Sequence, residues 1–315
     1  MTRIAVASRS FSKHPMLRAA LSCQYPDVIF NDAGKSLAGE ALIEFLKDAD
    51  MAILGLERID STILKHTPRL KVISRFGVGL DSLDLEAISK LGIKVAYTAG
   101  ANKRSVAELV IAFALMMLRS LPMVNQELRG GIWKQHKGRE LSHSRVGIIG
   151  LGAVGKDLAA LLKAFHCDIY CYDPIENKDY CYTHHIRPFA LNDLLQKVDI
   201  VSLHVPLNAS TRHLLNAERL SLMKPSALLI NTARGGLVDE TALKSRLKNN
   251  LLAAAAFDVF ESEPPEDKEL ISLPNFFATP HIGGSTEEAI IAMGNAAIEG
   301  LQKAVHINYQ SSVCV

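Results

Sequence analysis

The first hundred residues alternate short apolar runs with amphipathic stretches. The runs fall at residues 4–7, 28–30, 51–54, 71–75 and 94–97. Each is short enough for a buried strand and too short for a helix. Between them, residues 38–47 and 83–91 space their apolar side chains as a helix does. Such repetition predicts a parallel sheet with helices on both faces, and five strands suit a flavodoxin-like order. Only Ser8, Arg9 and Ser10 follow the first run, so no glycine loop assigns a dinucleotide here.

The rhythm breaks at residues 98–102. Asn102 reads as an N-cap, and Ser105 with Glu108 has the spacing of a capping box. A long apolar helix follows through Leu118. Pro122 then opens a second helix, which Gly130 and Gly131 end. The long helix is more apolar than a one-sided surface helix, which predicts a place between domains or in a subunit interface. Trp133, the one tryptophan, is expected to act there as an anchor.

A second series of apolar runs starts at residues 146–149 and continues at 168–172, 199–205, 227–232, 253–259 and 276–279. Helices are expected over 156–165, 191–197, 217–223 after an Asn216 cap, and 240–249 after an Asp239 cap. Ser285 and Glu288 are spaced as a capping box for a last helix. Its apolar face holds Ala289, Met293, Ala296, Ala297, Gly300, Leu301 and Ala304. That helix is expected to return to the first domain. Residues 1–100 plus 285–315 would then form a flavodoxin-like domain, with a Rossmann domain of residues 101–284 inserted in it. Residues 308–315 read as a disordered tail.

The second series opens with a complete G-x-G-x-x-G, Gly150 to Gly155, between a strand and a helix. Gly150 permits a tight turn and Gly152 a close approach of pyrophosphate. Gly155 permits close helix–strand packing, with Ala153 and Val154 at the helix N-terminus facing the phosphates. The next strand ends at Asp173, 18 residues past Gly155, where a carboxylate would take both ribose hydroxyls of NAD. Pro174 follows it, with no adjacent arginine for a 2′-phosphate, which favours NAD over NADP.

Length and charge narrow the classes. A chain of 315 residues suits two domains, and 48% hydrophobic with 22% charged residues is ordinary for a globular protein. A net charge of +2 with mixed signs gives no nucleic-acid footprint. The five cysteines lack metal-ligand spacing, so no metal is expected, and reduced thiols suit the cytoplasm. No signal-peptide core opens the chain. The longest apolar run, near residues 109–118, is shorter than the ~20 residues of a membrane span.

Ligands in such sheets bind beyond the carboxyl ends of the strands. The residues there are Asp173, Val205, Pro206, Ala233, Arg234, Asp258, Glu263 and His281. Taken singly, Arg234 reads as a surface ion pair, Glu263 as a solvated loop acid and His281 as a structural hydrogen bond. Together they suffice for one reaction. A histidine gives a proton to a carbonyl oxygen as hydride arrives at the carbon, and removes it in reverse. A carboxylate orients the imidazole and raises its pKa. An arginine fork clamps a substrate carboxylate, and Gly235 and Gly236 let a ligand approach the backbone.

These segments resemble the D-isomer-specific 2-hydroxyacid dehydrogenase family. The matching stretches are residues 75–84 (RFGVGLDSLD), 100–108 (GANKRSVAE), 146–155, 203–207 (LHVPL), 231–240 (NTARGGLVDE), 258–264 (DVFESEP) and 279–286 (TPHIGGST). The resemblance implies Arg234, Glu263 and His281 as the catalytic set. It implies Gly77, Val78, Gly79 and Asn102 near the substrate carboxylate, and Val205, Thr232 and Asp258 on the nicotinamide side of an NAD site. Pro206, Ala233 and Gly284 are assigned to the cofactor site with them. The formate dehydrogenase branch carries Gln where this chain has Glu263.

Within the family the chain looks most like D-3-phosphoglycerate dehydrogenases, through GANKRSVAEL and YDPIENK. Arg75, Lys103 and Arg104 lie in motif loops where they would meet a phosphate; solvated charges or partners of acids are the alternative. Ala99 stands where the family usually has Pro. The chain stops without the regulatory domain of the long serine-pathway enzymes, so serine feedback is not expected. The implied activity is NAD-dependent interconversion of a small D-2-hydroxy acid and its 2-oxo acid, D-3-phosphoglycerate first. Hydroxypyruvate, glyoxylate or another 2-oxo acid stays open, as does a corepressor-like scaffold. A hinged cleft, a homodimer built near residues 101–135, and no membrane partner complete the expectation.

Overall fold

The computed structural model describes residues 2–175 and 177–307. The expected disordered tail lies outside the described residues. Contacts divide the chain into one unit running to Asn102 and resuming at Gly284, and a second of Lys103–Gly283.

In the first unit the strands are β1 (Ile4–Val6), β2 (Val28–Phe30), β3 (Met51–Leu54), β4 (Val72–Arg75) and β5 (Lys94–Ala96). All pair in parallel, in the spatial order β2-β1-β3-β4-β5. This is the flavodoxin-like order. The connecting helices are α1 (Arg9–Lys13), α2 (Pro15–Gln24), α3 (Gly39–Leu46), α4 (Ser61–Lys65) and α5 (Leu85–Lys90). Most start on a side-chain cap. Asp60 Oδ1 accepts from the N–H groups of Thr62 and Ile63, and Asp84 Oδ1 from that of Ala87. Pro15 sets the first turn of α2.

The second unit begins with α6 (Lys103–Leu118) and α7 (Leu121–Arg129). Ser105 is not a cap. The helix starts two residues before it, and its hydroxyl donates instead to the Gly283 carbonyl at 2.6 Å. Asn102 precedes α6, yet its Oδ1 is buried without a hydrogen-bond partner, so it does not cap either. The buried face of α6 includes Val106, Val110, Phe113 and Met117 and packs on the sheet, whereas α7 buries nothing.

The second sheet is built from β6 (Arg145–Ile149), β7 (Asp168–Tyr172), β8 (Arg187–Pro188), β9 (Ile200–Leu203), β10 (Leu228–Asn231), β11 (Ala254–Phe257) and β12 (Phe276–Ala278). Their order is β8-β7-β6-β9-β10-β11-β12, all parallel, the Rossmann arrangement. The edge strand β8 escapes the sequence reading, because two residues containing a proline make no apolar run. The helices are α8 (Ala153–Ala164), α9 (Lys178–Thr183), α10 (Leu191–Lys197), α11 (Ala217–Leu222), α12 (Glu240–Lys248) and α13 (Lys268–Ser272). Asn216 and Asp239 cap α11 and α12 as expected.

From Gly284 the chain rejoins the first unit. Its last helix, α14 (Glu287–Lys303), is capped by Thr286 rather than Ser285, with Thr286 Oγ1 accepting from the Ala289 N–H. Met293, Ala297 and Leu301 enter the core beside Leu17, Ile53 and Val72. β13 (Val305–His306) then pairs antiparallel with β5. Among the described residues no single helix is long and apolar enough to cross a membrane.

Candidate active site

The three motif glycines differ in what surrounds them. Gly150 has φ +99°, and a Cβ there would lie 2.6 Å from the His204 carbonyl carbon. A Cβ on Gly155 would lie 2.1 Å from the Gly150 oxygen, so α8 can meet the turn only with glycine. A Cβ on Gly152 would meet nothing within 4 Å. Gly152 is also the N-cap of α8 and supplies no side-chain cap, which leaves the backbone N–H groups of the first turn to a ligand.

Asp173 follows β7 beside this turn. Its Oδ2 accepts the Leu151 N–H at 2.5 Å and its Oδ1 the Ile175 N–H at 2.8 Å. The loop itself therefore aims the carboxylate. Val205 is buried past the end of β9, and Pro206 is exposed next to it. Thr232, past β10, holds a buried hydroxyl without a hydrogen-bond partner. An open glycine cradle, free helix N–H groups, an aimed acid and an orphaned hydroxyl fit a dinucleotide.

The catalytic candidates come from three successive strand ends. Past β10, the buried Asn231 makes a tight turn: its Oδ1 accepts the Ala233 N–H at 3.1 Å, and its Nδ2 donates to the Arg234 carbonyl at 2.8 Å. Arg234 Nη1 donates to the Ala233 carbonyl at 2.7 Å. Gly235 does not open the backbone to a ligand. A Cβ there would lie 1.9 Å from both the carbonyl carbon and oxygen of Phe260, so glycine lets this loop touch the next one. That contact brings Arg234 beside the segment past β11 that carries Glu263.

His281 sits past β12 with φ +55°, a left-handed conformation that histidine, asparagine and aspartate adopt more readily than other non-glycine residues. Its Nδ1–H donates to Glu263 Oε2 at 2.8 Å. Glu263 Oε1 accepts the Phe260 N–H at 3.1 Å. With Nδ1 engaged, Nε2 is the ring atom left to exchange a proton. The Glu263 hydrogen bond raises the His281 pKa; burial opposes it, the charges of Glu263 and Asp258 add to it, and Arg234 works against it. Burial pushes the Glu263 carboxyl up, but His281, the Phe260 N–H and Arg234 together hold it below its ordinary value.

Asp258 is almost fully buried and acts as a bracket. Its Oδ1 accepts the Thr279 hydroxyl at 2.5 Å and the Ile282 N–H at 2.7 Å, and its Oδ2 the Gly283 N–H at 2.7 Å. These bonds fix the loop on which His281 is carried, a role that its position past a strand did not disclose. Asn231 was likewise legible only as part of a motif.

The substrate-side candidates lie in the first unit. Arg75 is the last residue of β4, buried rather than in a loop, and its Nε donates to the Gly79 carbonyl at 3.1 Å. That bond folds the turn of Gly77, Val78 and Gly79 against the strand end. Gly77 has φ +147° and open space where a Cβ would stand. Gly284, assigned with the cofactor residues, groups with this unit, where a Cβ on it would meet Asn102 Nδ2 at 2.9 Å and Met293 Cε at 3.5 Å. Of the other cations, Arg104 grips Asp157 of α8 through Nε at 2.7 Å and Nη2 at 3.2 Å. It is the partner of an acid.

Residues 111–283 match the sequence profile of the D-isomer specific 2-hydroxyacid dehydrogenase, NAD binding domain. The chain belongs to that family. It is 39% identical over 278 residues to D-3-phosphoglycerate dehydrogenase of Methanocaldococcus jannaschii, covering 87% of this chain and 53% of that one. It is 36% identical over 277 residues to hydroxypyruvate reductase of Thermotoga maritima, covering 86% and 90%. The chain spans about half the length of the D-3-phosphoglycerate dehydrogenases it matches. The solved D-lactate dehydrogenase of Aquifex aeolicus, complexed with NAD and lactic acid, superposes with a TM-score of 0.83 at 28% identity, covering 96% and 94%.

Proposed function

We propose that this family member is an NAD-dependent oxidoreductase interconverting a small D-2-hydroxy acid and its 2-oxo acid. The observation that carries the reading is the 2.8 Å bond between His281 Nδ1 and Glu263, beside Arg234 and past the strand ends of a dinucleotide sheet. Gly150, Gly152, Ala153, Val154 and Gly155 hold the pyrophosphate, Asp173 the ribose, and Val205, Pro206, Thr232, Ala233 and Asp258 surround the nicotinamide end. When bound, NAD accepts or returns the hydride. Arg234 holds the substrate carboxylate and draws charge toward the neighbouring oxygen. His281 Nε2 gives that oxygen its proton in reduction and takes it back in oxidation, while Glu263 keeps the ring oriented and favours the imidazolium. Gly77, Val78, Gly79, Asn102 and Arg75 serve the substrate.

D-3-phosphoglycerate and 3-phosphohydroxypyruvate are the first substrate pair we propose, on the 39% identity to a phosphoglycerate dehydrogenase. A second reading, hydroxypyruvate reduction, draws on the Arg104–Asp157 pair, which removes one cation from phosphate binding. It also draws on the near-full-length match to a hydroxypyruvate reductase. Initial rates with NADH and a panel of 2-oxo acids decide: a kcat/KM that favours the phosphorylated acid supports the first, the reverse order the second. No turnover of any 2-oxo acid refutes the enzyme reading. The same panel with NADPH tests Asp173, since equal kcat/KM for both cofactors removes its proposed role.

We also propose a homodimer. Helix α7 and the residues after it expose Leu121, Leu128, Ile132 and Trp133, the last at 84% of its surface, and a second copy of the same patch is the partner that would cover them.

A further inference from the structure

The NTARGGLVDE motif ends in Glu240, to which the reaction as described gives no task. Glu240 is the first residue of α12, immediately after its N-cap Asp239. An acid at that position is ordinarily explained by the helix dipole. Here its side chain does something more particular. Oε1 accepts the backbone N–H of Glu261 at 2.9 Å, bridging 21 positions of sequence. Glu261 lies two residues before Glu263, on the segment that joins β11 to α13.

At its start that segment is held through Phe260. The Phe260 backbone rests on Gly235, and the Phe260 ring packs against Phe257 and Phe276 with centroids 6.3 Å away in each case. Beyond Phe260 the chain turns outward, and α12 supplies its backbone anchor and the partner of Asp267, while Arg212 pairs with the Glu261 side chain. Glu240 takes the Glu261 N–H, and Lys244, one turn further along, donates Nζ to Asp267 at 2.7 Å. The Glu261 carboxylate is engaged elsewhere, paired with Arg212 and standing 3.7 Å from His213 Nε2. A cavity of about 290 Å³, lined among others by His213, Asp239, Glu240, Glu261 and Asp267, lies along the same face.

The surroundings of Glu240 are costly for a charge. Burial raises its pKa; the Glu261 N–H lowers it, the Glu261 and Asp267 carboxylates raise it, and His213 lowers it. A half-buried acid set among two others is a poor choice for merely decorating a helix end, where water-exposed Asp or Glu serves as well.

We propose that Glu240 is a positioning residue for the proton-transfer pair: by holding the Glu261 N–H it fixes the place from which Glu263 meets His281. The proposal rests on the reading that this pair moves the proton. It acts on His281 only through Glu263, whereas Asp258 and Arg234, the other charged groups that face the ring, are held by their own loops.

The test uses the full-length protein with Glu240→Ala and Glu240→Gln. The His281 ring C–H resonance, assigned by its loss in His281→Gln, reports the imidazole titration by NMR without any turnover. In Glu240→Ala this titration moves to lower pH, since the Glu263 hydrogen bond that raises it is loosened. The alkaline limb of 2-oxo acid reduction moves the same way, and kcat falls about tenfold, the effect of one net hydrogen bond, with the KM for NADH unchanged. Glu240→Gln keeps a carbonyl acceptor for the Glu261 N–H and restores both titration and rate. An unmoved His281 titration in Glu240→Ala overturns the proposal. So does a Gln variant that behaves as Ala does, the outcome of a helix-dipole role, and it remains readable if the Ala variant folds poorly. A protein that turns over no 2-oxo acid yet shows the shifted titration refutes the proposed reaction and leaves the positioning role intact.

Discussion

Gly235→Ala is the substitution that most directly probes how the catalytic loops are assembled. The added methyl carbon would lie 1.9 Å from the Phe260 carbonyl carbon and oxygen and 2.4 Å from the Glu261 nitrogen. Carbon contacts ordinarily settle at about 3.5–4.0 Å. The two loops must therefore part by roughly 1.5 Å, and the obstacles are backbone atoms that no rotamer change can move aside. Glu263 rides on one of these loops and Arg234 on the other. The Glu263–His281 bond is 2.8 Å long, so a shift of that size takes the pair out of hydrogen-bonding range. Displacements of about 1 Å at a reacting centre cost on the order of 10²-fold in rate, and overpacking costs about 1–3 kcal/mol in stability. The expected result is a kcat lower by about two orders of magnitude and a Tm lower by a few degrees, with NADH still bound through the glycine cradle but more weakly, because Thr232 and Ala233 ride on the displaced loop. Steady-state kinetics, a thermal melt and a fluorescence titration with NADH measure all three. A variant with the parent kcat would refute the claim that this contact sets the geometry of the pair.

Gly152→Ala is the reverse case: no atom lies within 4 Å of the new Cβ, so Tm is expected to hold while the Kd for NADH rises at least tenfold, about the loss of one close backbone contact. His281→Ala is expected to lower kcat by about 10²–10⁴-fold with NADH still bound, as read by rapid kinetics and fluorescence. On the proposed mechanism, reduction by the parent protein is expected to fall as pH rises through the raised His281 pKa, since it would need the imidazolium, and oxidation to fall as pH drops through it, since it would need the neutral ring. The same pair has a stability signature. The His281 contribution is complete below its ordinary value of 6.5 and lost as pH rises through the raised one. The Glu263 contribution is present above 4.5 and lost as pH falls through its lowered value. Glu263→Gln should therefore destabilise most between these two pH values, in denaturant titrations run across that range. Trp133→Ser combined with Leu128→Ser is expected to shift sedimentation toward the monomer, and an unchanged oligomer would place the interface elsewhere.

The strand cores were legible because parallel strands buried on both faces leave unbroken apolar runs. Their ends differ by a residue or two, as at Ala7, which is buried and still donates its N–H to the Ile53 carbonyl at 3.0 Å although β1 ends at Val6. Strand β8 left no such trace. The capping boxes show the limit of local pattern. Ser105 has the right spacing to Glu108, yet α6 begins before it and its hydroxyl serves a carbonyl 178 positions away. Thr286 and Ser285 are adjacent hydroxyls, and only three dimensions decide which one caps. At the site, residue types and strand-end positions pointed to Arg234, Glu263 and His281. Sequence carries no sign that Gly235 exists for Phe260, that Asp258 accepts three hydrogen bonds from the loop it holds, or that Arg75 is buried. Each of these depends on a neighbour distant in the chain.

The Ser105–Gly283 hydrogen bond has a consequence for how such a chain is assembled. It joins the first turn of the second unit to its last residue, so that unit is a closed ring in all but covalent bond. In the first unit, the Asn102 side-chain nitrogen lies 2.9 Å from where a Gly284 Cβ would stand. To the host sheet, the whole insert is thus equivalent to a tight turn, and the entropy of closing a long loop is met inside the insert. The two units are therefore expected to be separable by genetic surgery. Residues 103–283 expressed alone should melt cooperatively, and the host with Asn102 joined to Gly284 through a short glycine turn should do the same. A dinucleotide module with touching ends is one that recombination can move between hosts without redesigning either.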